Sequence, residues 1–253
     1  MTLKIAEAAL PLYSYPEEFL PESDGKPMAE TDLHRDQMVY LLDALKEYFR
    51  DDPQVYVTGN IFLYYRDEAQ ARQSVSPDVF VVRGVAKHER RIYNLDKELH
   101  APQVVIELTS ASTKVEDFVT KRYIYRNLGV SEYYLFDPYS EILEQPNFRG
   151  FRLEGGDYVP MVGSRLSSQV LGLEMRVEDG FLRLYDPKTG ERLLNHDEAQ
   201  AARRKAQAEA RAAESKARSA AKKAAQESAA RQAAEEELAR LREEVAMLRN
   251  KQP

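Results

Sequence analysis

Glu107 lies in the run Gln103-Val104-Val105-Ile106-Glu107-Leu108-Thr109, a carboxylate among apolar neighbours. Alternation along a strand puts Val105, Glu107 and Thr109 on one face, and Val104, Ile106 and Leu108 on the other. Burying a carboxylate without a partner is costly, so Glu107 needs a cation, a hydrogen-bond network or water beside it. Asp78 opens a second apolar run, directly after Pro77. Two carboxylates on neighbouring strands repel unless something positive sits between them. A hard divalent cation held by oxygen ligands answers both needs. Asp117, Lys121 and Tyr125 recur at i, i+4 and i+8, which places them on one side of a helix. That helix begins a few residues after Glu107, so it can fold back over the same sheet and turn the Lys121 ammonium towards the carboxylates. Such a lysine stabilises charge developing at phosphorus or positions an attacking water. Glu30, just ahead of the first helix, offers a third carboxylate.

Each of these residues also has a plainer reading. An Asp after Pro commonly caps a turn. Lys121 paired with Asp117 on the surface would contribute less than about 1 kcal/mol. Tyr125, Tyr133 and Tyr134 read as packing residues, and His34 as exposed or satisfied rather than a ligand. Ser110, Ser112 and Thr113 read as a loop and helix cap. Lys87-His88-Glu89-Arg90-Arg91 reads first as a solvated loop and second as a phosphate contact.

The elements that must hold these groups follow from periodicity. A helix fits residues 31–49, with Met38, Leu41, Leu42, Leu45 and Phe49 on one stripe. Short β-rich runs fall at 55–58, 61–65 and 78–82, and residues 103–108 have the composition of a central strand. A helix over 113–128 ends at Gly129, and 132–136 is a further strand. Beyond Asp137-Pro138 the pattern becomes short strands and turns, read as β-hairpins packed on the core. The fold class is therefore α/β.

The chain has 253 residues, which allows one or two domains. Its composition breaks near Asn195: residues 196–252 hold no Gly, Pro or aromatic residue. Ala, Glu, Arg, Lys and Gln dominate there and favour one helix of about 85 Å. Leu238, Leu241, Val245 and Leu248 follow a 3-4-3 spacing, while the register upstream is mostly Ala. A solvated helix and a coiled-coil dimer both fit. The expected division is an irregular lead-in over 1–29, an α/β domain over 30–195 and a helical tail over 196–253.

The 23 Lys and Arg against 32 Asp and Glu in residues 1–195 make the body acidic, while the tail carries 13 against 10. Within the tail, residues 203–223 hold eight basic groups against two Glu, a solvated face or a grip on phosphates. There is no cysteine, which excludes disulfides, thiolate metal sites and thiol nucleophiles, and fits a cytoplasmic setting. Neither a secretory signal nor a membrane-spanning segment is expected.

Ser76-Pro77-Asp78-Val79-Phe80-Val81-Val82, Val105-Ile106-Glu107-Leu108-Thr109-Ser110, Ser112-Thr113, Asp117, Lys121, Tyr125 and Gly129-Val130-Ser131-Glu132-Tyr133 together resemble the Uma family of bacterial restriction endonucleases. That family is similar to the PD-(D/E)XK nucleases. The resemblance spans roughly residues 28–185. It implies a core of helix, three strands, helix and strand, an order with which the elements read over residues 31–137 agree, with one extra strand near Val55. It further implies Asp78 and Glu107 as metal-binding carboxylates for Mg²⁺ or Mn²⁺. The usual superfamily lysine lies two residues after the Glu, where this chain has Thr109; the resemblance assigns that role to Lys121 on the helix. Glu30 or Asp117 would orient the lysine or a second metal. The expected function is metal-dependent hydrolysis of DNA by an endonuclease, with DNA and a second copy as partners, and with no membrane and no small-molecule cofactor. The alternative is an inactive nuclease-fold protein that works as a scaffold through its helical tail.

Overall fold

A computed structural model describes residues 20–22, 31–110, 116–143, 145 and 147–249. The chain divides into two compact units, residues 1–195 and 196–253.

In the first unit, α1 (Asp32–Tyr48) is capped by Thr31, whose hydroxyl accepts the His34 N–H. Its stripe of Met38, Leu41, Ala44 and Leu45 is buried; covering a leucine completely stabilises the fold by about 1.5–3 kcal/mol. Gln37 is buried as well, and its amide exchanges two hydrogen bonds with the backbone of Leu182.

The strands β1 (Val55–Thr58), β2 (Leu63–Arg66), β3 (Arg72–Val75), β4 (Val79–Arg83) and β5 (Tyr93–Asn94) come next. A short helix α2 (Leu95–Glu98) leads to β6 (Val104–Leu108). A π-helical turn over Glu116–Lys121 runs directly into α3 (Arg122–Asn127). Then follow β7 (Glu132–Phe136), β8 (Phe148–Glu154), β9 (Asp157–Pro160), β10 (Arg165–Ser168), β11 (Leu173–Glu178) and β12 (Phe181–Tyr185).

Among the described residues the main sheet has six strands in the order β1-β4-β6-β7-β8-β9. Its β6–β7 pair is parallel and its other pairs are antiparallel. The elements α1, β1, β4, β6, α3 and β7 thus run helix, three strands, helix, strand. This is the restriction-endonuclease-like order. The extra material is not the strand at Val55, which is the first strand of the main sheet. It is the separate sheet β3-β2-β5, inserted between β1 and β6. Strand β3, Arg-Gln-Ser-Val, carries no apolar alternation, so the sequence pattern does not reveal it. Part of the expected hairpin region, β8 and β9, extends the main sheet; the rest forms the sheet β10-β11-β12.

The sheet separates two cores. Val104, Ile106 and Leu108 face α1 and the β10-β11-β12 sheet. Val105 faces the other way, with Tyr125, Tyr133 and Leu135. That second face is the one Glu107 shares by alternation.

The helix expected over 113–128 differs in its first described turn. Residues 111–115 lie outside the described residues, and residues 116–121 form a wider π turn rather than an α turn. Single π turns inside helices recur at functional sites. In the second unit α4 (His196–Arg249) is one helix of 54 residues. Among the described residues no helix is long and apolar enough to cross a membrane.

Candidate functional site

Strand pairing brings the two carboxylates together. Val79 on β4 pairs with Ile106 on β6, so Asp78 falls beside Glu107. The contact is reciprocal. The Leu108 N–H donates to Asp78 Oδ2 at 2.7 Å, and the Asp78 N–H donates to Glu107 Oε2 at 3.4 Å. Gly59 makes the close approach possible: a Cβ there would stand 1.9 Å from the Asp78 carbonyl oxygen.

The helical segment closes over this corner. Lys121 Nζ donates to Glu107 Oε2 at 2.9 Å and to the Ser76 carbonyl at 3.4 Å, and lies 3.2 Å from Asp117 Oδ1. The Tyr125 hydroxyl donates to Glu107 Oε1 at 2.5 Å. The Tyr133 hydroxyl donates to the Asp117 carbonyl at 2.8 Å. From α1, His34 Nε2 stands 3.9 Å from Asp78 Oδ2.

Asp78, Glu107, Asp117 and Lys121 are thus brought together. Lys121 is buried, so the reading of a surface ion pair with Asp117 does not hold. Glu30 lies outside the described residues. Tyr125, read as a packing residue, packs against Tyr133 and also bonds Glu107, and His34, read as exposed or satisfied, faces Asp78. The i+8 spacing from Asp117 signals Tyr125. Nothing local signals His34, because α1 meets the start of β4 only in the folded chain. The charged run 87–91 is largely structural. Arg90 forms a two-point ion pair with Glu98 and lies 4.3 Å from the Tyr56 ring centroid, and Lys87 donates to the Phe49 and Arg50 carbonyls.

The electrostatics reflect one ammonium shared by three carboxylates. Complete burial pushes Glu107 well above the usual carboxyl range, and Asp78 and Asp117 push the same way; Lys121 and the Tyr125 hydroxyl pull against this. Asp78 is held below its usual value. Desolvation opposes that, but bonds from His34 and the Leu108 N–H and the charge of Lys121 outweigh it. Lys121 is raised: desolvation works to lower it, but Glu107, Asp78 and Asp117 prevail, so it stays charged.

This donor set fits a hard divalent cation. The three carboxylates outnumber the ammonium by two charges. Asp117 Oδ2 and Thr109 Oγ1 are buried with no protein partner, and an orphaned carboxylate oxygen is costly unless an ion or water meets it. Among the described residues no three His, Asp or Glu side chains form a ready all-protein metal cage. Mg²⁺ does not require one, because it binds through one or two carboxylates while water and substrate phosphate complete its shell.

The core runs in the restriction-endonuclease-like order, helix, three strands, helix and strand. A family model described as "Uma2: Putative restriction endonuclease" matches residues 9–180, and the chain belongs to that family. A solved structure titled as a putative nuclease from Anabaena variabilis is similar at 15% identity and a TM-score of 0.44, covering 60% of this chain and 86% of that one. No curated protein matches.

Proposed function

We propose that the protein is a metal-dependent endonuclease that hydrolyses phosphodiester bonds in DNA. The observation that carries this reading is the meeting of Asp78, Glu107 and Lys121 at one corner of the sheet. Asp78 and Glu107 would hold Mg²⁺ or Mn²⁺, which when bound supplies Lewis acidity and lowers the pKa of a coordinated water. Lys121, kept charged by its three carboxylates, stabilises negative charge developing on the phosphate oxygens. Asp117 holds Lys121 in place, Tyr125 fixes the rotamer of Glu107, and His34 positions Asp78. Glu30 belongs to the proposal on sequence position alone. A cytoplasmic homodimer is the working unit in this reading, since a two-fold dimer suits a two-fold duplex.

The test is nicking of supercoiled plasmid with Mg²⁺, Mn²⁺ or EDTA. Wild type, Glu107→Gln and Lys121→Met are run side by side, each checked for folding by circular dichroism. Metal-dependent nicking lost in both variants is the expected result. Nicking that persists in folded Glu107→Gln protein removes the assignment.

A second reading is a fold-retaining scaffold without activity. It draws on Glu107 being wholly buried with both oxygens engaged, and on Thr109 standing at the usual lysine position. Calorimetry discriminates the two readings: an inert cluster binds no Mg²⁺, whereas a nuclease site does so through Asp78 and Glu107.

A further inference from the structure

Every described residue of α4 from Ala201 onward is exposed. Most are polar or Ala, and exposure costs them little. Leu238, Leu241 and Val245 are different: they stand 50%, 52% and 51% exposed at 3-4 spacing on one side of the helix. An apolar stripe of that period on an otherwise polar helix is the seam of a coiled coil.

The charges beside the seam specify what covers it. With Leu238 and Val245 at heptad position a, and Leu241 and Leu248 at d, the flanking g positions are Glu237 and Glu244. The flanking e positions are Arg242 and Arg249. In a parallel pair each g residue faces the next e residue of the other helix, so Glu237 meets Arg242 and Glu244 meets Arg249, on both sides of the seam. In an antiparallel pair g faces g and e faces e, which sets Glu against Glu and Arg against Arg. A second copy in parallel register therefore satisfies all four charges, and the reverse orientation satisfies none.

We propose that the C-terminal part of α4 forms a parallel two-stranded coiled coil with a second copy of this chain. The proposal deepens the homodimer reading above and rests on it, but not on nuclease activity. The contact is confined to the tip. Upstream the same register places Arg231 at a and Glu227 at d. Both already have partners within their own helix, Arg231 with Glu235 at 2.9 Å and Glu227 with Lys223 at 3.8 Å. Beyond them the seam is Ala, too shallow to bury much area. About two heptads of contact make a dimer that dissociates on dilution. Parallel pairing brings both His196 ends together, whereas antiparallel pairing at the tip would separate them by roughly 140 Å.

The test uses the full chain. Light scattering across a concentration series is expected to give twice the 29.0 kDa chain mass at the concentrated end. Leu241→Asp is expected to give 29.0 kDa throughout. Glu237→Lys/Glu244→Lys and Arg242→Glu/Arg249→Glu are each expected to be monomeric alone and to pair when mixed. Orientation is read with Ala234→Cys, at the d position one heptad before Leu241. The chain has no cysteine of its own, so an interchain disulfide under mild oxidation reports parallel register directly. A dimer that forms no disulfide overturns the orientation. A wild-type chain that is monomeric at every concentration, or a Leu241→Asp protein that remains dimeric, overturns the coil itself. None of these readouts involves DNA cleavage, so their failure is separable from failure of the nuclease reading.

Discussion

Lys121 Nζ lies 2.9 Å from Glu107 Oε2, a contact between a helical segment and the middle of a sheet. Both groups are buried, and the ammonium is shared with Asp117 and influenced by Asp78. The pair therefore concentrates negative charge around a single fixed cation, and that imbalance has consequences for stability and for binding.

Lys121→Met tests the imbalance by stability. Removing one partner of a buried pair costs about 3–5 kcal/mol when the other stays charged. Glu107 can escape part of that cost by protonating. Its folded-state pKa is raised, so the native state holds the proton more tightly than the unfolded state, and stability falls as pH rises above the usual 4.5. Losing Lys121 strengthens this trend. The variant should be more destabilised near about pH 8 than near about pH 5 in urea melts, and Glu107→Gln should flatten the slope. Asp78 works in the opposite sense: its lowered pKa adds stability above 3.8 that is lost in acid. An equal loss for Lys121→Met at both pH values would contradict the picture.

Binding of Mg²⁺ should release protons. Burial raises the Glu107 pKa, and the group ligates a metal only when ionised, so metal and proton compete for it. Titration calorimetry in two buffers of different ionisation enthalpy should give different apparent enthalpies, and the difference counts the protons. Glu107→Gln should abolish the buffer dependence together with most of the affinity. Binding that is buffer-independent in wild type would place the ion away from Glu107.

Tyr125→Phe separates packing from hydrogen bonding. The ring and its contact with Tyr133 are kept, while Glu107 Oε1 loses a 2.5 Å donor. A buried acceptor left unsatisfied costs about 1–3 kcal/mol. The denaturant midpoint should fall accordingly without a change in slope, and nicking should weaken less than in Glu107→Gln. An unchanged midpoint would mean that water replaces the hydroxyl freely.

How far the sequence exposes this arrangement depends on how local each cause is. The alternation of residues 104–109 is a property of one strand, and the division of Val104, Ile106 and Leu108 from Val105 between the two cores follows it. The cap at Thr31 and the left-handed Gly129, φ 77°, are equally local. Of the β3-β2-β5 sheet only β2 is legible, in the run 61–65; β3 and β5 are short and partly polar and are held by pairing rather than by their own pattern. The π turn escapes as well: residues 116–121 have ordinary helical composition, and the widening is visible only in the folded backbone. His34 illustrates the same limit at the site. Its neighbours on α1 say nothing about Asp78, which arrives from a strand more than forty positions away.

Gly59→Ala tests how closely the backbone around Asp78 is specified. The added methyl would meet the Asp78 carbonyl oxygen at 1.9 Å and the Val79 Cα at 3.2 Å. Both are backbone atoms within or beside a sheet strand, so no side-chain rotation relieves the clash. Overpacking of this kind costs about 1–3 kcal/mol. The next residue, Asn60, donates its N–H to the Pro77 carbonyl at 2.8 Å, which ties the same two segments together. Relief must therefore come from moving the Pro77-Asp78 corner away from Gly59, and that movement changes the Asp78–Glu107 spacing. Gly59→Ala should lose stability by this amount and lose metal affinity and nicking out of proportion to it. The control is Gly155→Ala, at a turn where an added Cβ meets nothing within 4 Å. Its φ of 58° also strains an alanine, so it should cost stability while leaving metal affinity at the wild-type value in the folded protein. Equal metal affinity in the two variants would show that the corner tolerates displacement and that Gly59 serves folding alone.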